Sequence, residues 1–335
     1  MLAVFNMEMN MNSHVVVHGE LFYSEEGIVY RDKSLSYSVE NITGNLDKWN
    51  DFLKACNGQK NINEILQEHP DILCDEGVNF VNELIGSQLS YYEQSGIEYI
   101  SGDEAILLIE DLQAKLLYST LYKNKFWQGM QKPNDVPESV YYGMAIENYH
   151  FLFRESWFDS PVLSYLPSTK ARLIMNEFYG EEYGHDELIL KALNHIGISK
   201  LDISEALPLP ETLALCNALA YWAANDPLFF FTTMGILEGK DIKVDSYILA
   251  MEKSGYISAE FIKPIKDHAS INIEAEHGIL TRELFHEIPV IRIDQLKTMI
   301  ANTRLFVEMY DNFHTAVWEN YSNKSKKLLR RLSDI

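Results

Sequence analysis

Residues 172–197, RLIMNEFYGEEYGHDELILKALNHIG, combine a helical repeat of apolar residues with an acidic patch that contains a histidine. The apolar residues at this spacing are Leu173, Ile174, Phe178, Leu188, Ile189, Ala192 and Leu193. The repeat predicts one long helix with a core-facing side, and Gly197 is the expected stop signal. Glu182 and His185 are three residues apart, so a helix places them on the same face.

A Glu-x-x-His pair on a helix offers a carboxylate oxygen and an imidazole nitrogen to one metal ion, and it is a ligand unit of carboxylate-bridged di-iron proteins. About one such pair is expected by chance in a chain of this composition. The chain contains Glu147/His150, Glu182/His185, Glu274/His277 and Glu283/His286. This excess predicts a metal site.

Composition limits the class of protein. The chain has 335 residues, of which 47% are hydrophobic, which is enough for one large domain and a small one. The net charge of −21 argues against nucleic acid as a partner, because binding to phosphates depends on Lys and Arg. The three cysteines have neither a pairing pattern nor metal-ligand spacing, and the N-terminus does not resemble a signal peptide. These features predict a cytoplasmic protein.

The most apolar segment, residues 212–237, is the main candidate for a membrane span. Asn225, Asp226 and Pro227 interrupt it, so it cannot satisfy its own backbone as one helix in lipid. We expect two buried helices that meet at these three residues, and no membrane association.

Residues 14–100 begin with the β-rich runs HVVVHGELFY, GIVYR and LSYSV, which predict a small antiparallel sheet. The hydrophobic spacing becomes helical after Gly44 and indicates three short helices. A small sheet with three helices is the outline of a winged-helix (α+β) domain.

Two segments of this domain, FLKACNGQKNINEIL and VNFVNELIGSQLSYY, resemble the peptide-binding domain of the pyrroloquinoline-quinone D type. The resemblance covers residues 19–95 and implies that the domain binds the leader of a ribosomally synthesised precursor peptide. In that family the leader adds a strand to the sheet and packs against the third helix, which here implies an edge at 27–31 or 35–39 and the helix at 78–89. It brings no catalytic residue.

A winged helix used for dimerisation or for DNA binding is the alternative for residues 14–100. Between Glu20 and Glu98 the chain has 15 acidic and 5 basic residues, which argues against DNA. The sequence does not decide whether the protein forms a homodimer.

Residues 101–335 have helical spacing nearly throughout, and four of the expected helices carry carboxylate or imidazole groups. The candidate metal ligands are Glu147, Glu182, His185, Glu238, His268, Asn272, Glu274 and His277. Glu147 precedes Glu182 by 35 residues, and Glu238 precedes Glu274 by 36. Two halves, each with a carboxylate followed by Glu-x-x-His, can close a two-iron site in a helical bundle.

Glu147 lies in the apolar run YYGMAIENYHFLF, where a buried carboxylate without a partner is costly. We therefore expect it to face a cation. Three roles remain possible for His150 in the same run: a metal ligand, a hydrogen-bond donor to a metal ligand, or a histidine of the core.

The segments EEYGHDELILKALNHIG and HASINIEAEHG, together with Glu238, resemble the heme-oxygenase-like di-iron oxidases, relatives of the pyrroloquinoline-quinone synthase C and thiaminase folds. The resemblance covers residues 111–313. It implies a heme-oxygenase-like helical bundle over residues 101–335, Fe(II) as cofactor with two irons, and O2 as co-substrate. The residues that it implies to be catalytic are Glu182, His185 and His268.

The last ligand helix departs from that family, which has His-x3-Asp-x2-His there. Asn272 stands at the aspartate position, and His277 comes two residues late. A π-bulge would return both residues to the face of His268, or Glu274 replaces the aspartate. The number of irons is therefore open.

These features predict an iron-dependent, O2-dependent oxidase or oxygenase that modifies a precursor peptide. Three rivals remain: a ferritin-like di-iron N-oxygenase acting on a small molecule, a cofactor-free oxidase and a non-catalytic peptide-binding protein.

Overall fold

The computed structural model describes residues 9–25, 27–32, 35–39, 42, 44–87, 89–93, 99–165, 168–182, 184–237, 246–274 and 277–334. The chain divides into two compact units. One consists of Met1–Leu107 and Pro289–Ile293, and the other of Leu108–Ile288 and Asp294–Ile335.

The first unit has an α+β composition. Its strands are β1 (His14–Val17), β2 (Glu20–Ser24), β3 (Gly27–Asp32), β4 (Leu35–Val39), β5 (Asn57–Asn61), β6 (Ser90–Glu93), β7 (Tyr99–Ile100) and β8 (Ile291–Arg292), and its helices are α1 (Leu46–Ala55), α2 (Ile62–Glu68) and α3 (Cys74–Gly86). The strands pair antiparallel in the orders β5-β1-β6, β2-β3-β4 and β7-β8. The predicted sequence of a small sheet region and three short helices is confirmed.

The predicted run HVVVHGELFY is divided between two sheets rather than forming part of one. β1 ends at Val17 and β2 begins at Glu20, with Gly19 between them. The Gly19 N–H donates to the Tyr30 hydroxyl at 2.8 Å, and a Cβ at Gly19 would clash with the carbonyl oxygen of Arg31. The connection between β1 and β2 is therefore so tight that position 19 requires glycine.

Strand β5 was not predicted, because its sequence NGQKN lacks alternating apolar residues. It pairs with β1 and leads directly into α2. Asn61 caps that helix in a reciprocal capping box with Glu64, at 2.9 and 3.1 Å. The backbone pairing and the cap stabilise a strand that the hydrophobic pattern does not show.

The other described elements are helices, as predicted. They are α4 (Gly102–Ser119), α5 (Lys125–Met130), α6 (Glu138–Leu152), α7 (Ser156–Val162), α8 (Thr169–Glu182), α9 (His185–His195), α10 (Lys200–Ser204), α11 (Pro210–Asn225), α12 (Pro227–Leu237), α13 (Ser246–Ser254), α14 (Ala259–Glu274), α15 (His277–His286) and α16 (Ile293–Tyr321), with 3-10 turns at Leu121–Lys123, Pro133–Asp135 and Leu332–Asp334. The mostly α fold class is confirmed.

The apolar segment 212–237 forms two helices, as expected. α11 ends at Asn225 and α12 begins at Pro227. The Asp226 carboxylate accepts a hydrogen bond from the Phe229 N–H at 3.3 Å and another from the Asn302 side chain at 3.1 Å, which fixes the corner. Across the described ranges, no helix has the length and apolar character that a bilayer crossing requires.

The predicted single helix over residues 172–197 is wrong in one respect, since α8 ends at Glu182 and α9 starts at His185. Gly184 has a φ of +96°, a left-handed conformation that helical residues do not adopt. A lone glycine inside a helical pattern is often tolerated, so the sequence pattern did not show this break.

Candidate metal centre

Three of the predicted ligands lie together in the second unit. Glu182 is the last residue of α8, His185 is the first residue of α9, and His268 lies on α14, which packs against α9. One ligand atom from each side chain lies within 4.8 Å of the other two. The break at Gly184 thus places a carboxylate and an imidazole at adjoining helix ends, and α14 supplies the second imidazole.

The three side chains are largely removed from solvent. Glu182 is 1% exposed, His185 is 4% exposed, and His268 is partly buried. His185 Nδ1 lies 2.6 Å from Glu182 Oε2, and the rings of His185 and His268 are perpendicular with centroids 4.7 Å apart. A buried carboxylate is costly unless it is paired, so a hydrogen bond or a cation has to stabilise Glu182.

The donor set fits a metal ion. Nitrogen and oxygen donors lie about 2.1 Å from a first-row ion such as Zn²⁺, so donors on opposite sides of such an ion are about 4.2 Å apart. Donor atoms within 4.8 Å therefore reach one ion after small side-chain rotations. A metal ion held by both side chains would take the place of the hydrogen bond between His185 and Glu182.

The structure places Glu147 in a different environment. It is fully buried on α6, and its carboxylate accepts hydrogen bonds from the Leu209 N–H at 3.0 Å, the Tyr321 hydroxyl at 2.7 Å and the Thr212 hydroxyl. Burial raises the pKa of Glu147, and these donors oppose the rise. Three donors thus stabilise the carboxylate that we expected to need a cation, so its predicted ligand role has no support in this geometry.

The remaining predicted ligands are less fully described. Glu238 lies outside the described residues. Asn272, Glu274 and His277 have described backbones, the first two at the end of α14 and the third at the start of α15, but their side chains lie outside the description. The predicted π-bulge is not seen within the described part of this stretch, which is α-helical to Glu274 and again from His277, while residues 275–276 are not described.

His150 is 3% exposed, and its Nε2 has no hydrogen-bond partner among the described residues. Burial, with a smaller effect of Arg154, lowers the pKa of His150 to about 4. It is therefore a neutral buried histidine outside the group of three.

A cavity of about 110 Å³ lies beside His268. Its lining includes Met144, Asn148 and Phe151 from α6, and Ile265 and Ala269 from α14. Sequence reasoning missed these residues, although a signal existed. The three residues on α6 are spaced i, i+4 and i+7, and the two on α14 flank His268 at helical spacing, so each set shares one helix face.

A cluster of buried aromatic residues on α11 and α12 is not among the described lining residues of this cavity. Trp222, Phe229, Phe230 and Phe231 are each at most 4% exposed and belong to the core of the second unit.

Comparison with known proteins identifies the fold and nothing finer. No protein-family model matches the chain, and no curated protein sequence matches it. A solved structure from Shewanella denitrificans, described as a domain of unknown function with a heme oxygenase-like fold, matches with a TM-score of 0.51 and 17% identity. The match covers 67% of this chain and 94% of that one. The helical part of the chain therefore has a heme oxygenase-like fold.

Proposed function

We propose that the second unit is a non-heme iron, O2-dependent oxidase or oxygenase. The observation that carries this proposal is the convergence of Glu182, His185 and His268 within 4.8 Å. One carboxylate and two histidines with open positions are the ligand set typical of non-heme Fe(II) oxygenases. The heme oxygenase-like fold supports this reading over the ferritin-like rival.

Each residue has a defined task in this proposal. Glu182 supplies the negative charge that favours a divalent ion, and the imidazoles of His185 and His268 supply nitrogen donors. Bound Fe(II) would supply the one-electron chemistry that O2 activation requires. The low exposure of Glu182 and His185 keeps bulk water from the site and strengthens the attraction of the carboxylate for the ion.

A second iron remains part of the prediction from sequence. Its ligands would come from Glu238, Asn272, Glu274 and His277. Because Asn272 is neutral where the related oxidases have an aspartate, we expect the second position to be weak. Asn272→Asp should then tighten it by adding a charged oxygen ligand.

The first unit is proposed to bind the leader of a precursor peptide. Of the two strands that we considered for an added strand, β3 pairs with both β2 and β4. Among the described residues, β4 pairs with β3 alone. Its other edge can accept a peptide strand through main-chain hydrogen bonds.

Iron binding tests the metal centre directly. Purified protein loaded with Fe(II) without oxygen should bind one or two irons, and Glu182→Ala or His185→Ala should abolish binding, as read by metal analysis after desalting. Glu177→Ala on α8 and His195→Ala on α9 are matched controls, because both side chains are exposed. Iron retained by both site variants would rule out this centre, and absence of iron in the unmodified protein would favour the cofactor-free or the non-catalytic alternative.

A further inference from the structure

The cavity beside His268 has a mainly apolar wall, with side chains such as Met144, Leu215, Ile248 and Ile265. Among the described residues, no Asp, Glu, Lys or Arg contributes to this wall. An ionised group inside the described part of this wall would lose its hydration without gaining a charged side chain as partner. The described wall therefore favours a neutral and largely apolar occupant.

The volume limits the occupant further. Drug-sized ligands fill pockets of about 300–1,000 Å³, whereas this cavity has about 110 Å³. A cavity of about 150 Å³ lined by similar residues holds one benzene molecule. The space beside His268 is of the same order as that cavity, so it suits one compact apolar group such as a leucine side chain or a phenyl ring.

One polar group on the wall is suited to hold such an occupant in place. Asn148 is partly buried on α6, and it is one of the lining residues of the cavity. The hydroxyl of Tyr247, also on the wall, already donates to the carbonyl oxygen of Tyr141 at 2.7 Å. A primary amide donates and accepts at once, so it is complementary to a peptide group.

We propose that this cavity binds a leucine-like or phenylalanine-like side chain of a peptide substrate, with the adjoining peptide group hydrogen-bonded to Asn148. This inference rests on the proposed function, because it places the bound side chain next to His268 and so makes it the group to be oxidised. It narrows the substrate class to neutral apolar residues and disfavours lysine, arginine, aspartate and glutamate at the modified position.

Binding of capped amino acids to the metal-free full-length protein tests the cavity. The probes are N-acetyl-leucine amide and N-acetyl-phenylalanine amide, compared with N-acetyl-lysine amide and N-acetyl-aspartate amide, and binding is followed by NMR shifts of the isotope-labelled Ile δ1 and Met methyl groups. We expect the apolar probes to shift the signals of Met144, Ile248 and Ile265, and the charged probes to leave them unchanged. Equal shifts with all four probes, or none with the apolar pair, would overturn the proposal.

Two variants test the volume of the cavity and the hydrogen bond to Asn148 separately. Ala269→Leu fills the cavity and should weaken binding of the apolar probes at least about tenfold, a change of about 1.4 kcal/mol. Ala259→Leu is its control, because Ala259 is exposed on the same helix and does not line the cavity. Asn148→Ala should weaken the capped amino acids while retaining toluene, which has no peptide group. Unchanged binding of the capped amino acids in both Ala269→Leu and Asn148→Ala would overturn the assignment.

The probe experiment and the iron experiment fail independently. If Glu182→Ala lost iron but bound the apolar probes normally, the metal centre and the cavity would both stand. If the unmodified protein bound iron but no apolar probe, the cavity proposal would fall and the metal centre would remain. If it bound the probes but no iron, the side-chain site would remain and its link to oxidation would be lost.

Discussion

His185 Nδ1 lies 2.6 Å from Glu182 Oε2 although the two residues belong to different helices. The left-handed Gly184 separates α8 from α9, so it sets the direction in which His185 starts its helix. Gly184→Ala should therefore destabilise the protein by about 1 kcal/mol, the cost of placing a side chain in this conformation, and should lower iron affinity. Thermal unfolding and metal titration measure the two effects.

Gly180→Ala is the matched control for this substitution. Gly180 lies inside α8, has no positive φ and leaves open space for a methyl group. Alanine there should be neutral or stabilising by about 0.5–1 kcal/mol, with iron affinity unchanged. Equal iron affinity in the two variants would show that the Gly184 conformation does not position the ligands.

The sequence predicted local chemistry better than long-range partners. The spacing of Glu182 and His185 was informative because three residues bring side chains together on a helix and, here, across a helix break. The hydrogen-bond donors to Glu147 were not foreseen, because they come from Leu209, Thr212 and Tyr321, far along the chain. Periodicity shows that a carboxylate is buried, but it does not show which distant groups satisfy it.

Glu147→Gln tests the structural role of the buried carboxylate. The folded-state pKa of Glu147 is raised by burial, so the stability that its protonation contributes is present at low pH and is lost as pH rises above about 4.5. Urea unfolding from pH 4 to pH 8 should show a flatter pH dependence for Glu147→Gln than for the unmodified protein, with iron binding retained. Loss of iron in this folded variant would restore Glu147 as a ligand.

His150 should give a pH dependence of the opposite sign. Its pKa falls from 6.5 to about 4 on folding, so its contribution to stability is present above pH 6.5 and is lost as pH falls towards 4. The full effect is on the order of 3 kcal/mol, at 1.36 kcal/mol per pKa unit. Unfolding of metal-free His150→Leu at pH 7 and pH 4.5 should lack this loss, whereas the exposed-site control His195→Leu should keep it. A variant with the same pH profile as the unmodified protein would refute the assignment.

Leader-peptide binding should protect one strand of the first unit. A synthetic leader from a precursor encoded beside this protein would add to β4, because β4, unlike β3, is an outer strand in the β2-β3-β4 order. Hydrogen exchange of the full-length protein should then slow at backbone amides of Leu35–Val39 when the leader is added, and a scrambled leader of the same composition should have no effect. Protection confined to Asn57–Asn61 or Ser90–Glu93 would move the binding site to the outer strands of the β5-β1-β6 sheet instead. No protection in any strand, with every neighbouring precursor tried, would remove the peptide-binding role and leave the dimerisation alternative for this unit.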